Sequence, residues 1–356
     1  MVVGGAVRDA LLALTPGDDL DLVVEGDPGP LPGWSAHDRF GTAVQAFPEG
    51  TLHIGMARRE RYPAPGALPE VAPGTLADDL ARRDITVNAM AVPLGGPDAG
   101  ALIDPHGGSA DLGARLVRSL RPDAFVEDPS RLVRAARYAA RLGFALEPQT
   151  GAAAGEAAPG LDLGSARVAG ELRRLLEEDD AAGGLRLLAE LGVPWAGDAS
   201  ALAVLDQALA EHGVPDVPRW AARLAAAVEP GVLERAALPG WATATASGLR
   251  RGAEVAAAVD EGAAPSAWDR ALAPLRPAGV VGALATGRPE VGRWWRGDRD
   301  RHPAIDGADL VAAGVAPGPA IGRALAEVRA AVLDGSIENR RESQLELALR
   351  VAREHQ

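Results

Sequence analysis

A chain of 356 residues exceeds what one hydrophobic core usually supports, so two or more domains are expected along it. Hydrophobic residues make up 47% but aromatics only 4%, which leaves the cores to Ala, Leu and Val and favours helices, and the absence of cysteine excludes disulfides, thiolate zinc sites and a cysteine nucleophile. A formal charge of −13 argues at first against a nucleic-acid partner, but all 36 basic residues are arginine, and what decides is whether they cluster.

Residues 1 to about 120 alternate short apolar runs with turn signals, whereas nearly everything after Pro129 reads in helical period. The start carries Gly4-Gly5-Ala6-Val7-Arg8-Asp9, two glycines at a turn into a helix. Backbone N–H groups there can approach phosphate oxygens, and Arg8 adds a planar cation one turn on. Asp21 to Val24 and Leu52 to Met56 read as strands. Asp19 and Asp21, two residues apart, point to one side of the chain, where a divalent cation would relieve the repulsion between their carboxylates. His37-Asp38 has no histidine at matching metal-ligand spacing and is set aside as surface. Thr75-Leu-Ala-Asp78 has the spacing of a cap leading into a helix over Asp79 to Arg83. Arg82-Arg83, then Asp84 and Asn88, suit a triphosphate and the hydroxyls of a ribose. Ile85 to Val92 reads as a strand, and Leu94 to Gly100 as a turn into Ala101 to Asp104, which suggests a hairpin.

Asp128-Pro129 marks an N-cap followed by proline at the first helical position, and the helix runs to about Leu142, where Gly143 stops it. Arg131, Arg134, Arg137 and Arg141 share one face of this helix, and their mutual repulsion points to an anionic partner. Further helices are expected at 165 to 178, 181 to 191, 200 to 212, 217 to 227, 241 to 259, 318 to 333 and 341 to 354. Joints are expected near 194 to 198, 228 to 240 and 303 to 319, and no repeat of fixed period is visible. No run approaches the roughly 18 apolar residues that span a bilayer, and the start lacks the basic-then-apolar pattern of a signal peptide, so a soluble, cytoplasmic protein is expected.

In order and wording, Gly4-Gly-Ala-Val-Arg-Asp9, Asp19-Leu-Asp-Leu-Val-Val24, Arg82-Arg-Asp-Ile-Thr-Val-Asn-Ala-Met90, Asp104-Pro-His-Gly-Gly108 and Glu127-Asp-Pro-Ser-Arg131 resemble the motifs of one family. It is the bacterial and eukaryotic class, class II, of tRNA nucleotidyltransferases: the CCA-adding enzymes and bacterial poly(A) polymerases. The dense match covers roughly residues 2 to 144, and looser ones follow at Ser165 to Leu188, Ile305 to Leu310 and Pro317 to Gly322.

The resemblance implies an α+β chain with a polymerase-beta-like nucleotidyltransferase head built on a mixed sheet, followed by an all-helical neck, body and tail. The head would span 1–120, a base-recognising neck 121–198, the body 199–300 and a tRNA-binding tail 301–356. It further implies addition of C, A or both to the 3′ end of tRNA from CTP and ATP without a nucleic-acid template. The partners would be the tRNA acceptor arm, ATP and CTP, with no membrane and no protein partner implied. Asp19 and Asp21 would be catalytic and hold Mg2+, while Gly4, Gly5 and Arg8 would contact the triphosphate. Arg83, Asp84 and Asn88 would handle triphosphate and ribose; Asp128 and Arg131 would face the Watson–Crick edge of the base, with Arg134 and Arg137 orienting that edge or the phosphates. A carboxylate accepts from the exocyclic amino group that cytosine and adenine share, whereas uracil and guanine present a carbonyl there.

Three positions depart from the family pattern. His53 stands where an acid is common in the strand before Ala57-Arg-Arg-Glu60, and His106 stands where an aromatic is usual. The double glycine begins only three residues from the start, which shortens the strand expected before it. Within the family, CC-only addition, A-only addition and poly(A) synthesis stay open, with full or partial addition turning on a head loop near 61 to 75. Outside it, a non-catalytic nucleotide or RNA sensor on the same fold is the alternative.

Overall fold

Asp19-Leu-Asp-Leu-Val-Val24 forms one of the two middle strands of a six-stranded mixed sheet in the computed structural model, which describes residues 1–15, 17, 19–26, 35–37, 42–213 and 217–354. In chain order the sheet region contains β1 (Val2–Val3), α1 (Gly5–Leu11), β2 (Asp19–Val24), β3 (Ser35–His37), β4 (Thr42–Phe47) and β5 (Gly50–Met56). The hairpin β6 (Arg58–Arg61) and β7 (Glu70–Pro73), α2 (Leu76–Ala81) and β8 (Ala91–Val92) follow. The strand order is β3-β4-β5-β2-β1-β8, with β2 and β5 parallel and Asp21 opposite His53. Val3, Val23, Ala57, Leu80 and Ala91 are buried together between this sheet and α2. The His37-Asp38 pair lies outside the residues whose side chains are described.

The expected cap at Thr75 is present in both directions: Thr75 Oγ1 accepts from Asp78 N at 3.2 Å and Asp78 Oδ2 accepts from Thr75 N at 2.8 Å. The strand expected over Ile85 to Val92 is corrected by the structure. Only Ala91–Val92 pairs with the sheet, and Thr86–Asn88 is one turn of 3-10 helix. Ile-Thr-Val is strand-prone by β-branching, but Thr86 donates its hydroxyl to Asp111 at 2.6 Å and its N–H to Arg118 O at 2.9 Å, which draws the segment off the sheet. The expected reversal at 94 to 100 survives as a single pair, Ala91 and Ile103, which exchange both backbone hydrogen bonds.

Beyond the sheet come α3 (Gly108–Ala114), β9 (Leu116–Val117), α4 (Ala124–Glu127), α5 (Ser130–Leu142), β10 (Ala145–Leu146), α6 (Pro148–Ala157), α7 (Ala166–Glu177) and α8 (Ala181–Glu190). Helix α5 starts one residue later than expected, although Pro129 already has helical dihedrals, and Gly143 ends it. Its apolar side (Leu132, Val133, Ala136) is buried, as are Leu172, Leu176, Leu185 and Leu188 on the α7 and α8 helices that pack against it.

The chain parts into two compact units, Met1–Ala199 with Gly231–Leu238, and Ser200–Pro230 with Pro239–Gln356. The second is helical among the described residues: α9 (Ala199–His212), α10 (Arg219–Ala227) and, after the short α11 (Pro230–Leu233) that falls almost wholly in the first unit, α12 (Gly240–Ala258), α13 (Pro265–Leu272), α14 (Pro277–Leu284), α15 (Pro289–Arg296), α16 (Gly307–Ala312), α17 (Pro319–Leu333) and α18 (Arg341–Glu354). The expected joints at 228 to 240 and 303 to 319 therefore contain a turn of helix each. With few aromatics available, Trp268 and Trp294 anchor a core filled otherwise by Leu, Val and Ala. The backbones of α12 and α14 touch. A Cβ at Gly282 would lie 1.8 Å from Leu249 O, and one at Gly252 would lie 1.8 Å from Gly279 O.

Thermal or denaturant unfolding checks this contact. Gly282→Ala should destabilise the chain by about 1 to 3 kcal/mol through overpacking. Gly322→Ala, on α17 with nothing within 4 Å of its Cβ position, should stabilise it by about 0.5 to 1 kcal/mol.

Candidate active site

The sheet, α1, β6, the segment after α2 and α5 surround a cavity of about 740 Å³. Its floor is the turn after β1. Gly4 has φ 74°, and a Cβ there would stand 2.7 Å from Arg83 Nη1, so backbone and guanidinium meet where no side chain fits. From the next turn Arg8 runs inward, buried to 2% exposure, and donates to Asp9 Oδ1 at 2.8 Å and to Asn88 Oδ1 at 2.6 Å. The 3-10 turn thus carries Asn88 to Arg8. Arg83 donates to Asn88 O at 3.2 Å and to Asp79 at 3.0 Å.

Asp19 and Asp21 project from β2 into the same cavity, as their spacing predicts. The Asp19 side chain is 75% exposed, with His53 Nε2 at 4.0 Å from its Oδ1, and the Asp21 carboxylate has no hydrogen-bond or ion-pair partner among the described residues. Among those residues no group of three or more His, Asp or Glu is placed to hold a metal. Two open carboxylates nevertheless fit Mg2+, which takes hard oxygen donors and completes its shell with water and phosphate oxygens.

The opposite wall is α5, where the expected arginine face is present but its charge is met from within the chain. Arg134 pairs with Asp84 and lies 3.4 Å from Glu171. Arg137 reaches Glu171 at 3.2 Å and Glu178 at 2.9 Å, and Arg131 lies 3.5 Å from Glu127. The external anion that the spacing pointed to is therefore not required to balance these arginines. Two of them, with Arg8 of α1, also surround one ring: the guanidinium carbons of Arg8, Arg134 and Arg137 lie 5.1, 5.2 and 4.6 Å from the Tyr138 centroid. Arg131 stacks on Tyr62 at 5.4 Å and donates to Arg82 O at 3.1 Å. Asp128 is buried; its Oδ1 accepts from Ser130 N and Oγ, and its Oδ2 from Arg167 at 3.0 Å.

Of the residues singled out by sequence, Gly4, Gly5, Arg8, Asp19, Asp21, Arg83, Asp84, Asn88, Asp128, Arg131 and Arg134 all line the cavity, and Arg137 does not. Arg137 is buried against α7. Arg82, paired with Arg83 in the sequence reading, lines it as well, whereas Arg58, Glu60, Tyr62, Tyr138 and Glu171 line it without having been assigned a role. Arg58, Glu60 and Tyr62 alternate, a period-two signal available in the sequence. Asp104 instead closes a turn, accepting from Gly108 N at 2.7 Å and Ser109 N at 2.8 Å.

Three buried donors on the cavity residues lack a hydrogen-bond partner: Arg83 Nε, Asn88 Nδ2 and Arg131 Nη1, the last having only the ion pair with Glu127. Such donors suit a ligand rich in acceptor oxygens. Burial alone would push the Asp84 carboxyl up, but the Arg134 charge and hydrogen bond, with backbone N–H groups, hold it below its ordinary value. Burial would likewise raise the Tyr138 phenol, yet Arg134, with Arg137 and Arg8, brings it below its ordinary value. Asp84→Asn should cost about 2 to 3 kcal/mol at neutral pH, reduced from the fully buried case because Arg134 is partly exposed and keeps Glu171. A lowered carboxyl pKa contributes stability that is full above the unfolded value and lost as pH falls through the folded one. The gap between wild type and Asp84→Asn should therefore narrow as the pH falls below the ordinary carboxylate range, and urea unfolding across pH measures it.

A family model described as the poly A polymerase head domain matches residues 1–118, and one described as a putative tRNA nucleotidyltransferase domain 2 matches residues 300–348. The CC-adding tRNA nucleotidyltransferase of Deinococcus radiodurans is 38% identical over 349 residues, covering 95% of this chain and 86% of that one. The A-adding tRNA nucleotidyltransferase of Halalkalibacterium halodurans is 38% identical over 207 residues, 54% of this chain and 48% of its own length. Among solved structures, a CCA-adding enzyme in an apo form superposes with a TM-score of 0.79 at 26% identity, covering 98% of this chain and 91% of that one. The Thermotoga maritima CCA-adding enzyme complexed with tRNA gives 0.75 at 26% identity over 98% of this chain and 90% of that one. With its motifs gathered in one cavity and its likeness running nearly end to end, the chain belongs to the class II tRNA nucleotidyltransferase family.

Proposed function

We propose that this nucleotidyltransferase adds C and A to the 3′ end of tRNA from CTP and ATP, with protein side chains choosing the base. The observation that carries this is the cavity itself, which sets open Asp19 and Asp21 against Asp128, just before the facing helix, and Arg131 on its first turn. The 3′ hydroxyl oxygen of the tRNA attacks the α-phosphorus, the bond to the β-phosphate bridge breaks, and pyrophosphate leaves. Asp19 and Asp21 would hold divalent cations, Mg2+ above all, whose chemistry when bound is to lower the hydroxyl pKa and to stabilise charge on the phosphates.

The remaining roles belong to the chain's own groups. Seven arginines and seven carboxylates line the cavity, so the walls have no surplus cation to neutralise a triphosphate, and that charge must enter with the nucleotide. Arg83 and Asn88 offer their unpartnered donors to phosphate or ribose oxygens. Asp128 accepts the amino group of cytosine or adenine, and Arg131, held between Tyr62 and Arg82 O, donates to the adjacent ring acceptor.

In this reading the chain divides into a head over 1–120, a neck over 121–198, a body over 199–300 and a tail over 301–356; the positions of the two family-model matches support its outer parts. No described helix is long and apolar enough to cross a membrane, and tRNA processing suits a cytoplasmic enzyme. A second reading, addition of CC alone, is favoured by the Deinococcus radiodurans relative that matches 95% of this chain.

The test is incubation with tRNA lacking its 3′ end and labelled CTP and ATP, separately and together, with products sized on a gel. Full addition extends the tRNA by three nucleotides only when both are present; a product that stops at two with CTP, and does not grow with ATP, selects the second reading. Asp19→Ala and Asp21→Ala should each lower the rate by several orders of magnitude while leaving folding intact. A variant retaining a tenth of the activity would remove that residue from the metal site, and tRNA binding without any incorporation by the wild type would indicate a sensor.

A further inference from the structure

Arg167, on the first turn of α7, lies 39 residues beyond Asp128, and the family resemblance assigned it no role. A carboxylate offers two lone pairs on each of two oxygens. In Asp128 both lone pairs of Oδ1 are taken, by Ser130 N at 3.1 Å and Ser130 Oγ at 2.6 Å. One of the two on Oδ2 is taken by Arg167 Nη1 at 3.0 Å. A single acceptor direction on the carboxylate is left for a base.

The other arm of the same guanidinium holds the connection between β6 and β7: Arg167 Nη2 donates to Gly66 O at 2.8 Å and to Ala67 O at 3.1 Å. That connection returns a hydrogen bond to the motif, from Gly66 N to Glu127 O at 3.0 Å. Arg131 leans on the same connection through Tyr62, whose hydroxyl it meets at 3.3 Å. A planar fork with five donors can serve a carboxylate and two carbonyls at once, which an ammonium cannot do with the same fixed geometry.

We infer that Arg167 is a positioning residue for base selection: it fixes which lone pair of Asp128 is presented and locks the carboxylate to the β6–β7 connection. The inference rests on the reading that Asp128 accepts the base amino group. Without Arg167 the Oδ2 atom has two open lone pairs and the connection loses its anchor, so the carboxylate can turn away from a mismatched carbonyl instead of opposing it. Discrimination against UTP and GTP should then fall more than the rate with CTP.

The experiment measures kcat/KM for CTP, ATP, UTP and GTP with tRNA primers on the full chain, for wild type, Arg167→Ala, Asp128→Ala and the double variant. Arg167→Ala should lower the ratio of CTP to UTP by about tenfold or more, within the range of one lost base contact. The double variant should show no further loss than Asp128→Ala, because the arginine acts through the carboxylate. Equal slowing of all four nucleotides, or an unchanged ratio, would overturn the role of Arg167 and leave it a structural strut. If Asp128→Ala collapses the ratio while Arg167→Ala does not, only the present inference fails; if neither changes it, the base-reading role of Asp128 fails as well. Should Arg167→Ala not fold, Arg167→Gln, which keeps part of the stem and loses the charged fork, is read by the same ratio.

Discussion

The first unit is organised around the neutralisation of one helical face. Arginines at 131, 134, 137 and 141 of α5 could not lie side by side, half-buried, unless carboxylates were brought to them from elsewhere in the chain. Asp84 comes from the sheet region, Glu171 from α7 and Glu178 from the residue that caps α7. Positions 167, 171 and 174 of α7 and its capping residue 178 fall on one face, and the two carboxylates on it, Glu171 and Glu178, meet the arginines of α5. Removing water from these pairs costs free energy that their attraction only partly returns, and the gain lies in a single fixed arrangement. Tyr138, ringed by three guanidiniums, leaves that arrangement little freedom to shift.

That rigidity is what a base-reading wall needs. Hydrogen-bond polarity discriminates between bases only if the donor and the acceptor keep their directions, and flexible arginines on a solvated helix would not. The same pairing explains how a chain of formal charge −13 can handle phosphates. Its cavity is balanced rather than basic, so in the proposed reading the affinity for a triphosphate would depend on cations at Asp19 and Asp21 and on donors such as Asn88 Nδ2 that have no internal partner.

Local patterns were legible in the sequence and long-range closures were not. The Thr75 cap, the α5 start near Pro129 and its stop at Gly143 are set by neighbours within four residues, and the structure has them close to where the pattern puts them. Asp19 and Asp21 were legible because alternation in a strand fixes their common side. Ile85 to Val92 was misread because strand propensity was outweighed by capture of Thr86 by Asp111, 25 residues on. The helices α13, α14 and α15 were overlooked although each opens on a proline, the residue suited to a first turn. Tyr62, Glu171 and Arg167 join the site across 37 to 101 residues, and no spacing rule reaches that far.

If the proposed function holds, the paired carboxylates of β2 and the Asp128–Arg131 pair at the start of α5 serve one nucleotide. A crystal structure with a non-hydrolysable CTP analogue and Mn2+, with anomalous scattering to place the metal, tests it most directly. The account predicts Mn2+ coordinated by Asp19 and Asp21, with the cytosine amino group hydrogen-bonded to Asp128 and Arg131 on the neighbouring ring acceptor. A metal held elsewhere, or a base whose Watson–Crick edge faces away from Asp128 and Arg131, would contradict it.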